Sequence, residues 1–318
     1  MRAVAVTEFG GTPQLMDLPK PVPGFGEVLV RLAGAALNPF DRAISDGFLR
    51  HLPHTFPLVL GAVGAGIVEE VGEGVETLEE GEAVYGIFIH ERLGLGRGTL
   101  AEYIAVPDDA VIGPAPRSVP LPEAAAAPTA GMTAIGLVEE SGVAAEQKVL
   151  IVGASGGVGS FAVQLAAARG AQVIATARSD AAERLRSLGA AETIDYARRS
   201  VGEQLVEAEP GGVDVLLDLV SDPEEFAANL ELVRDGGRAM SIRYAAQADS
   251  LGSDRIGVVN FNLREHPRAA EFLKELTAAI DTAGLQVVVD VELALEQVPA
   301  VVAARSSGGA RGKALVTI

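Results

Sequence analysis

Lys148-Val-Leu-Ile-Val-Gly-Ala-Ser-Gly-Gly-Val-Gly-Ser160, continuing as Phe161-Ala-Val-Gln-Leu-Ala-Ala-Ala-Arg-Gly170, decides the fold of this chain. Val149–Val152 is short, wholly apolar and rich in β-branched residues, as a strand buried on both faces requires. Glycines 153, 156, 157 and 159 then form a tight turn, with Ala154 where the common pattern has its first glycine. Beyond it, Val158, Phe161, Ala162, Leu165 and Ala166 recur at helical spacing. Strand, glycine turn and helix in this order form a dinucleotide-binding corner. The small residues of Gly153, Ser155, Gly156, Gly157, Val158 and Gly159 let backbone approach a pyrophosphate. The helix N-terminus offers that group free N–H groups and a partial positive charge.

A second strand, Gln172-Val-Ile-Ala-Thr-Ala177, follows the helix. NAD-binding chains place Asp or Glu at the tip of this strand to hold the ribose hydroxyls, and NADP-binding chains place an Arg nearby. Here the tip reads Thr176-Ala-Arg-Ser179, without a carboxylate. Arg178 is either a phosphate partner through charge-assisted bonds or a solvated surface arginine. Ser179 either adds a bond to that phosphate or caps a helix over Asp180–Leu188. NADPH is the expected cofactor.

Composition sets the bounds. The 318 residues are enough for two domains, and 48% are hydrophobic. Tryptophan is absent and aromatics make up 4%, so Ala, Val and Leu must fill the interior. A net charge of −18 argues against nucleic acid or an anionic membrane as partner. With no cysteine there is neither a disulfide framework nor thiol chemistry. No signal pattern or run of eighteen apolar residues occurs, so a cytoplasmic protein is expected.

Outward from the glycine turn, the chain divides in three: residues 1–120, 121–256 and 257–318. The first part leans to β structure. Met1–Val6 alternates and breaks at Gly10-Gly11, Glu27–Ala33 reads as a strand, and Asn38-Pro-Phe-Asp-Arg42 starts a turn or short helix. Leu58–Val75 carries five glycines among apolar residues, which suits bent strands of a small barrel. Residues 121–256 alternate: strands near 148–153, 172–177, 192–194, 213–219 and 237–243; helices near 157–169, 180–188, 201–208 and 224–234. A doubly wound parallel sheet of Rossmann type follows. Glu123–Glu140 reads as helical with interruptions at Pro128 and Gly131. The last segment carries a helix near 267–282, a strand at 285–289, a helix near 294–304 and a final strand from Lys313.

An ordered set of short stretches gives a family resemblance: Asn38-Pro-Phe-Asp41, Pro57-Leu-Val-Leu-Gly61, Ala65-Gly-Ile-Val68, Gly98-Thr-Leu-Ala-Glu-Tyr103, Ala130-Gly-Met-Thr-Ala134, Gly153–Gly159, Ile194-Asp-Tyr196, Asp214-Val-Leu-Leu-Asp218 and Ala310-Arg-Gly-Lys-Ala-Leu-Val316. The chain resembles the zinc-independent quinone oxidoreductase branch (zeta-crystallin-like) of the medium-chain dehydrogenases/reductases. The resemblance implies an α/β protein with a GroES-like catalytic domain built from both ends and a Rossmann domain between. It also implies a homodimer joined through the Rossmann edge strand, expected at Arg238–Arg243. It places Thr133, Tyr196, Val220, Ser241, Ile242 and Lys313 near the cofactor. Tyr196 reads equally as a half-exposed strand-end aromatic, and Lys313 as a solvated lysine.

Zinc-dependent relatives need Cys, His and Glu around a catalytic metal. Here the family's metal cysteine position falls on Ala36 and Leu37, its histidine region reads Leu60-Gly-Ala-Val-Gly64, and no metal site is expected. His51 and His54 read as surface residues. Without a metal, reduction of an electron-poor acceptor is easier than alcohol oxidation, so the expected substrate is a quinone or an α,β-unsaturated carbonyl. Asn38 either donates to the acceptor oxygen or only starts the turn before Pro39. Asp41, the other catalytic candidate, is more suited to capping the local helix. Family tyrosines are replaced by Ala43 and Leu49, the family's barrel-strand acid by Val63, and Phe48 is the candidate for the aromatic wall of the pocket. Two other functions stay open: reduction of enoyl thioesters, and a cofactor-binding sensor or structural protein without turnover.

Overall fold

The computed structural model describes residues 1–90, 94–304 and 313–318. Residues 310–312 of the C-terminal resemblance stretch lie outside the described residues. Two compact units emerge, one of Met1–Thr129 with Ala270–Ile318 and one of Ala130–Ala269.

The first unit begins with β1 (Arg2–Val6), β2 (Gln14–Asp17), β3 (Glu27–Leu37), α1 (Pro39–Ser45), β4 (Leu58–Val59), β5 (Val63–Val71), β6 (Ala83–Ile87), β7 (Tyr103–Pro107), β8 (Val111–Pro114) and α2 (Leu121–Ala124). Helix α3 (Pro128–Glu140) leads into the second unit, which holds β9 (Lys148–Val152), α4 (Gly157–Ala168), β10 (Gln172–Ala177), α5 (Ala182–Ser187), β11 (Glu192–Asp195), α6 (Val201–Ala208), β12 (Val213–Asp218), α7 (Pro223–Leu230), β13 (Val233–Ser241), α8 (Ala248–Leu251) and β14 (Gly257–Asn260). The chain then adds α9 (Ala269–Ala283), β15 (Val289–Ala294), α10 (Val298–Ala304) and β16 (Lys313–Thr317).

The second unit is the doubly wound fold. Its six strands are all parallel, in the order β11-β10-β9-β12-β13-β14. Strand order reverses between β9 and β12, and ligands of such sheets bind beyond the carboxyl ends of the strands at that point. Leu150, Ile174, Leu216, Phe226 and Ala239 are among the residues of one continuous buried cluster.

The first unit has a three-stranded sheet, β2-β1-β4, and a seven-stranded sheet, β15-β16-β3-β5-β6-β8, with β7 also pairing β3. Every pairing in the larger sheet is antiparallel except β15 with β16. β3 is therefore flanked by a strand made 275 residues later, measured from Asn38 to Lys313. Leu295, Val298, Val302, Ala314 and Val316 from the end of the chain share a core with Val4, Val6, Ala35 and Leu37 from its start.

Several expectations need correction. The edge of the parallel sheet is β14, because Ala239↔Val258 and Ser241↔Asn260 pair outside β13. Residues after 256 therefore stay with the second unit until Ala269. The helix expected over 224–234 stops at Leu230, because Val233 is recruited to pair with Val213. The strand expected at 285–289 runs instead over Val289–Ala294, since Leu285 N–H still bonds Ala279 O at 3.1 Å as the exit of α9. Gly131 does not interrupt α3, and Pro128 starts it, where a missing N–H costs nothing. Among the described residues, no helix is long and apolar enough to cross a membrane.

Candidate functional site

Each unit presents a cluster of candidate residues at strand ends and the turns beyond them. In the second unit, β9 runs into Gly153, whose φ of +84° is a left-handed conformation that suits glycine. Its N–H donates to the buried Thr176 Oγ1 at 3.1 Å, so β10 fixes the turn. A Cβ at Gly153 would lie 2.7 Å from Val220 Cγ1, which puts Val220 at the reversal point between β9 and β12. Val220 is itself 56% exposed. Gly156 is the N-cap of α4 and provides no side-chain bond to the helix end. The first-turn N–H groups of this twelve-residue helix are thus not capped by a side chain. Ser155, Gly156, Gly157 and Val158 are all half-buried around them, and Gly159 is buried against the turn. This cradle fits a dinucleotide pyrophosphate.

Arg178 and Tyr196 stand one residue beyond the paired ends of β10 and β11, where Ala177↔Asp195 is the last pair. Both side chains are exposed. The residues just past the carboxyl ends of these two neighbouring strands thus carry a guanidinium and a phenol, with no carboxylate on the tip of β10. Ser179 opens a single 3-10 turn, Ser179–Ala181, and α5 begins only at Ala182. The helix expected from Asp180 is shorter, and its N-cap position is Ala181. Thr133 is 7% exposed, on α3. Ser241 corrects an expectation: it is fully buried, and its Oγ accepts N–H bonds from Arg243 and Ala245 at 3.2 Å each. Its side chain serves the turn after β13, and half-buried Ile242 is the more accessible of the two.

In the first unit, the register Ala314↔Leu37 carries Lys313 to a place opposite Asn38. Lys313 Nζ donates to Asn38 Oδ1, and Asn38 Nδ2 donates to Ala36 O at 3.0 Å. Asn38 N–H donates to Asp41 Oδ2 at 2.7 Å, half of a capping box at the start of α1. Lys313 is only 9% exposed, so the solvated-lysine reading fails. Asp41 is 2% exposed, and its Oδ1 has no hydrogen-bond partner among the described residues. Burial pushes the Asp41 carboxyl up to about 6, against the Asn38 amide, the Lys313 charge and the Ala62 amide. Burial brings the Lys313 ammonium down to about 8, opposed by the Asp41 charge. Phe48 is 67% exposed and meets Phe40 edge-to-face at 6.4 Å. Leu49 is buried in the core of the first unit.

A model of the alcohol dehydrogenase GroES-like domain matches residues 24–117, and one of the zinc-binding dehydrogenase matches 157–276. A 2-methylene-furan-3-one reductase of Solanum lycopersicum is 32% identical over 91% of this chain and 71% of its own. The chain belongs to the medium-chain dehydrogenase/reductase family, in its quinone oxidoreductase branch. A chloroplast envelope quinone oxidoreductase homolog of Arabidopsis thaliana is 37% identical over 62% of this chain and 61% of its own length, so the chain aligns with under two thirds of that relative. An alcohol dehydrogenase superfamily protein from Novosphingobium aromaticivorans superposes with a TM-score of 0.84 at 30% identity, covering 100% of this chain and 99% of the other. This medium-chain dehydrogenase/reductase is an oxidoreductase with a GroES-like first unit and a Rossmann-type second unit.

The histidines of this dehydrogenase/reductase are spread out. His54 packs edge-on against Phe9 and Phe56, and His51 is exposed. His90 lies 3.4 Å from Asp109, and His266 Nε2 lies 2.9 Å from Glu140 Oε1. Among the described residues, no group of three or more His, Asp or Glu is placed to hold a metal ion. Two positioning residues escape a reading of the sequence. Thr176 is one. Asp218 is the other: its Oδ1 accepts the N–H groups of Val220 and Ser221 at 3.2 and 2.9 Å, and its Oδ2 accepts from Asn229. The signal for both was a polar residue near the carboxyl end of a mostly apolar strand, Thr176 in β10 and Asp218 in β12.

Proposed function

We propose that this protein is an NADPH-dependent reductase of quinones or α,β-unsaturated carbonyl compounds that works without zinc. The observation that carries the cofactor reading is the pair Arg178 and Tyr196 on adjacent strand ends, beyond an uncapped helix N-terminus and with no acidic residue on the tip of β10. When bound, NADPH supplies a hydride from its nicotinamide C4 to the acceptor, which gains two electrons and carries negative charge on oxygen until a solvent proton arrives. Gly153–Gly159 and the start of α4 hold the pyrophosphate, and Arg178, with Ser179 and Tyr196, holds the 2′-phosphate end. Thr133, Val220 and Ile242 border the nicotinamide half. Asn38 donates to the acceptor oxygen, and Phe48 supplies an apolar wall.

The acceptor class is supported by the names of two relatives, a quinone oxidoreductase homolog and a 2-methylene-furan-3-one reductase. A methylene conjugated to a ring ketone is an enone, and quinones share that electron-poor C=C–C=O unit. Zinc independence is supported by the absence of cysteine, which removes the thiolate that zinc-dependent relatives use. A homodimer joined through β14 and a cytoplasmic location complete the proposal. Sedimentation and cell fractionation test those two parts.

The direct test follows nicotinamide absorbance with NADPH and a panel of quinones and enones, before and after dialysis against a chelator. Turnover unaffected by the chelator is expected. Tight NADPH binding without turnover on any acceptor would favour a binding protein instead. For the cofactor, Arg178→Glu is expected to weaken NADPH by about 10- to 100-fold, from the loss of a bond to a charged group. NADH should change by less than about threefold on the same reasoning, because it lacks the phosphate. Equal losses for the two cofactors would remove Arg178 from the phosphate site.

A further inference from the structure

Resting on the carbonyl-acceptor reading above, we propose that Lys313 is a positioning residue: it clamps and polarises the Asn38 amide so that Asn38 donates more strongly to the acceptor oxygen as that oxygen gains charge. Three elements hold Asn38 at three atoms. Lys313 on β16 takes Oδ1, Ala36 on β3 takes one hydrogen of Nδ2, and Asp41 on α1 takes the backbone N–H. The second Nδ2 hydrogen has no partner among the described residues, and Asn38 is only half-buried. An asparagine that merely starts a turn needs the Asp41 contact and neither of the others.

Lys313 is the costly part of this arrangement. Four methylenes usually let a lysine reach water, yet this one is 9% exposed. Its hydrogen bond goes to a neutral amide, so attraction from a bonded carboxylate does not offset its desolvation. The charged group facing it is Asp41 from α1. Ala36 and Leu37 of β3 bring no charge, β15 places Val289 opposite it, and the neighbouring Asp290 is exposed. A positive charge on the carbonyl side of an amide withdraws electrons and strengthens its N–H as a donor. Lys313 keeps its proton throughout. The hydride adds to the acceptor carbon, the C=C electrons move to oxygen, and solvent protonates the resulting enolate.

The test compares wild type, Lys313→Met and Lys313→Arg in NADPH-dependent enone reduction from pH 6 to 10, with the Kd for NADPH measured separately by fluorescence. Lys313→Met should lower kcat by about 10- to 100-fold, in the range of a weakened oxyanion donor, and leave the Kd for NADPH unchanged. Wild-type kcat should fall as pH rises through about 8, where the ammonium is lost. Lys313→Arg should keep most of the activity and lose that limb, since arginine stays charged. Unchanged kcat in Lys313→Met, or a loss of NADPH affinity that accounts for its fall in kcat, overturns the proposal. A readout independent of turnover uses asparagine side-chain amide signals in 15N spectra of the intact protein. The Asn38 signals should move through about pH 8 in wild type; fixed signals overturn the clamp, even if no acceptor is ever turned over and the functional reading itself has failed.

Discussion

At Gly159 a methyl group has no room. A Cβ there would lie 2.4 Å from Gly153 O and 2.6 Å from Ala154 Cα, both backbone atoms. Gly159→Ala should therefore lower stability by about 1–3 kcal/mol, the usual cost of overpacking, and reduce NADPH affinity with it. Gly156 differs: a Cβ would meet only Gly153 O, at 3.3 Å. Gly156→Ala should fold with a nearly wild-type Tm yet bind NADPH more weakly, because the methyl would stand in the proposed path of the pyrophosphate. Unfolding curves and binding isotherms of the two variants separate packing from binding; unchanged affinity in Gly156→Ala would argue against the cradle. Asp41 carries a pH signature. Its folded value near 6 lies above its ordinary 3.8, so the folded state binds the extra proton between them. The contribution of Asp41 to stability is fully present below about 4 and is lost as pH rises through about 6. Asp41→Asn should abolish that slope, seen as a difference between wild-type and variant unfolding free energies from pH 4 to 7.

At the level of elements, the edge of the parallel sheet is a strand of four residues, with Val259 41% exposed on it. If dimers form there, Val259→Lys should shift sedimentation to the monomer and leave NADPH binding intact, since a charge on an edge strand opposes pairing. The β9-turn-α4 corner was legible because its residues are consecutive: apolar run, glycines and helical spacing all fall within one window. β14 was not, because Gly257-Val-Val-Asn260 is too short to alternate visibly. The end of α7 was misread because Leu232 and Val233 fit a helical spacing as well as a strand, and only pairing with Val213 decides. The site in the first unit was half legible. Asn38 and Asp41 announce a helix start by their spacing around Pro39. The burial of Lys313 depends on a register set across 275 residues, which no local pattern carries.

For the molecule as a whole, the charge of −18 opposes an anionic cofactor at long range, while in the proposed cofactor site Arg178 would attract it locally. Salt screens the two differently. Raising ionic strength from about 10 to 150 mM shortens the screening length from about 30 to 8 Å. The association rate of NADPH should therefore rise in stopped-flow mixing, while the preference for NADPH over NADH shrinks. A falling association rate would mean that local basic groups dominate the approach.

The pairing of β3 with β16 also has a consequence for biosynthesis. A ribosome adds about 5–20 residues per second. The interval between Asn38 and Lys313 is 275 residues, so on the order of 15–55 s separates the making of these two neighbours at that pace. Throughout that time Gly34–Leu37 of β3 wait for their partner strand, although β7 already pairs Glu27–Arg31, and the interior that Ala314 and Val316 will close stays open to water. The second unit needs no residue beyond Ala269 and can complete its core while the first is still waiting. A nascent chain of this protein is thus born with its middle finished before its beginning.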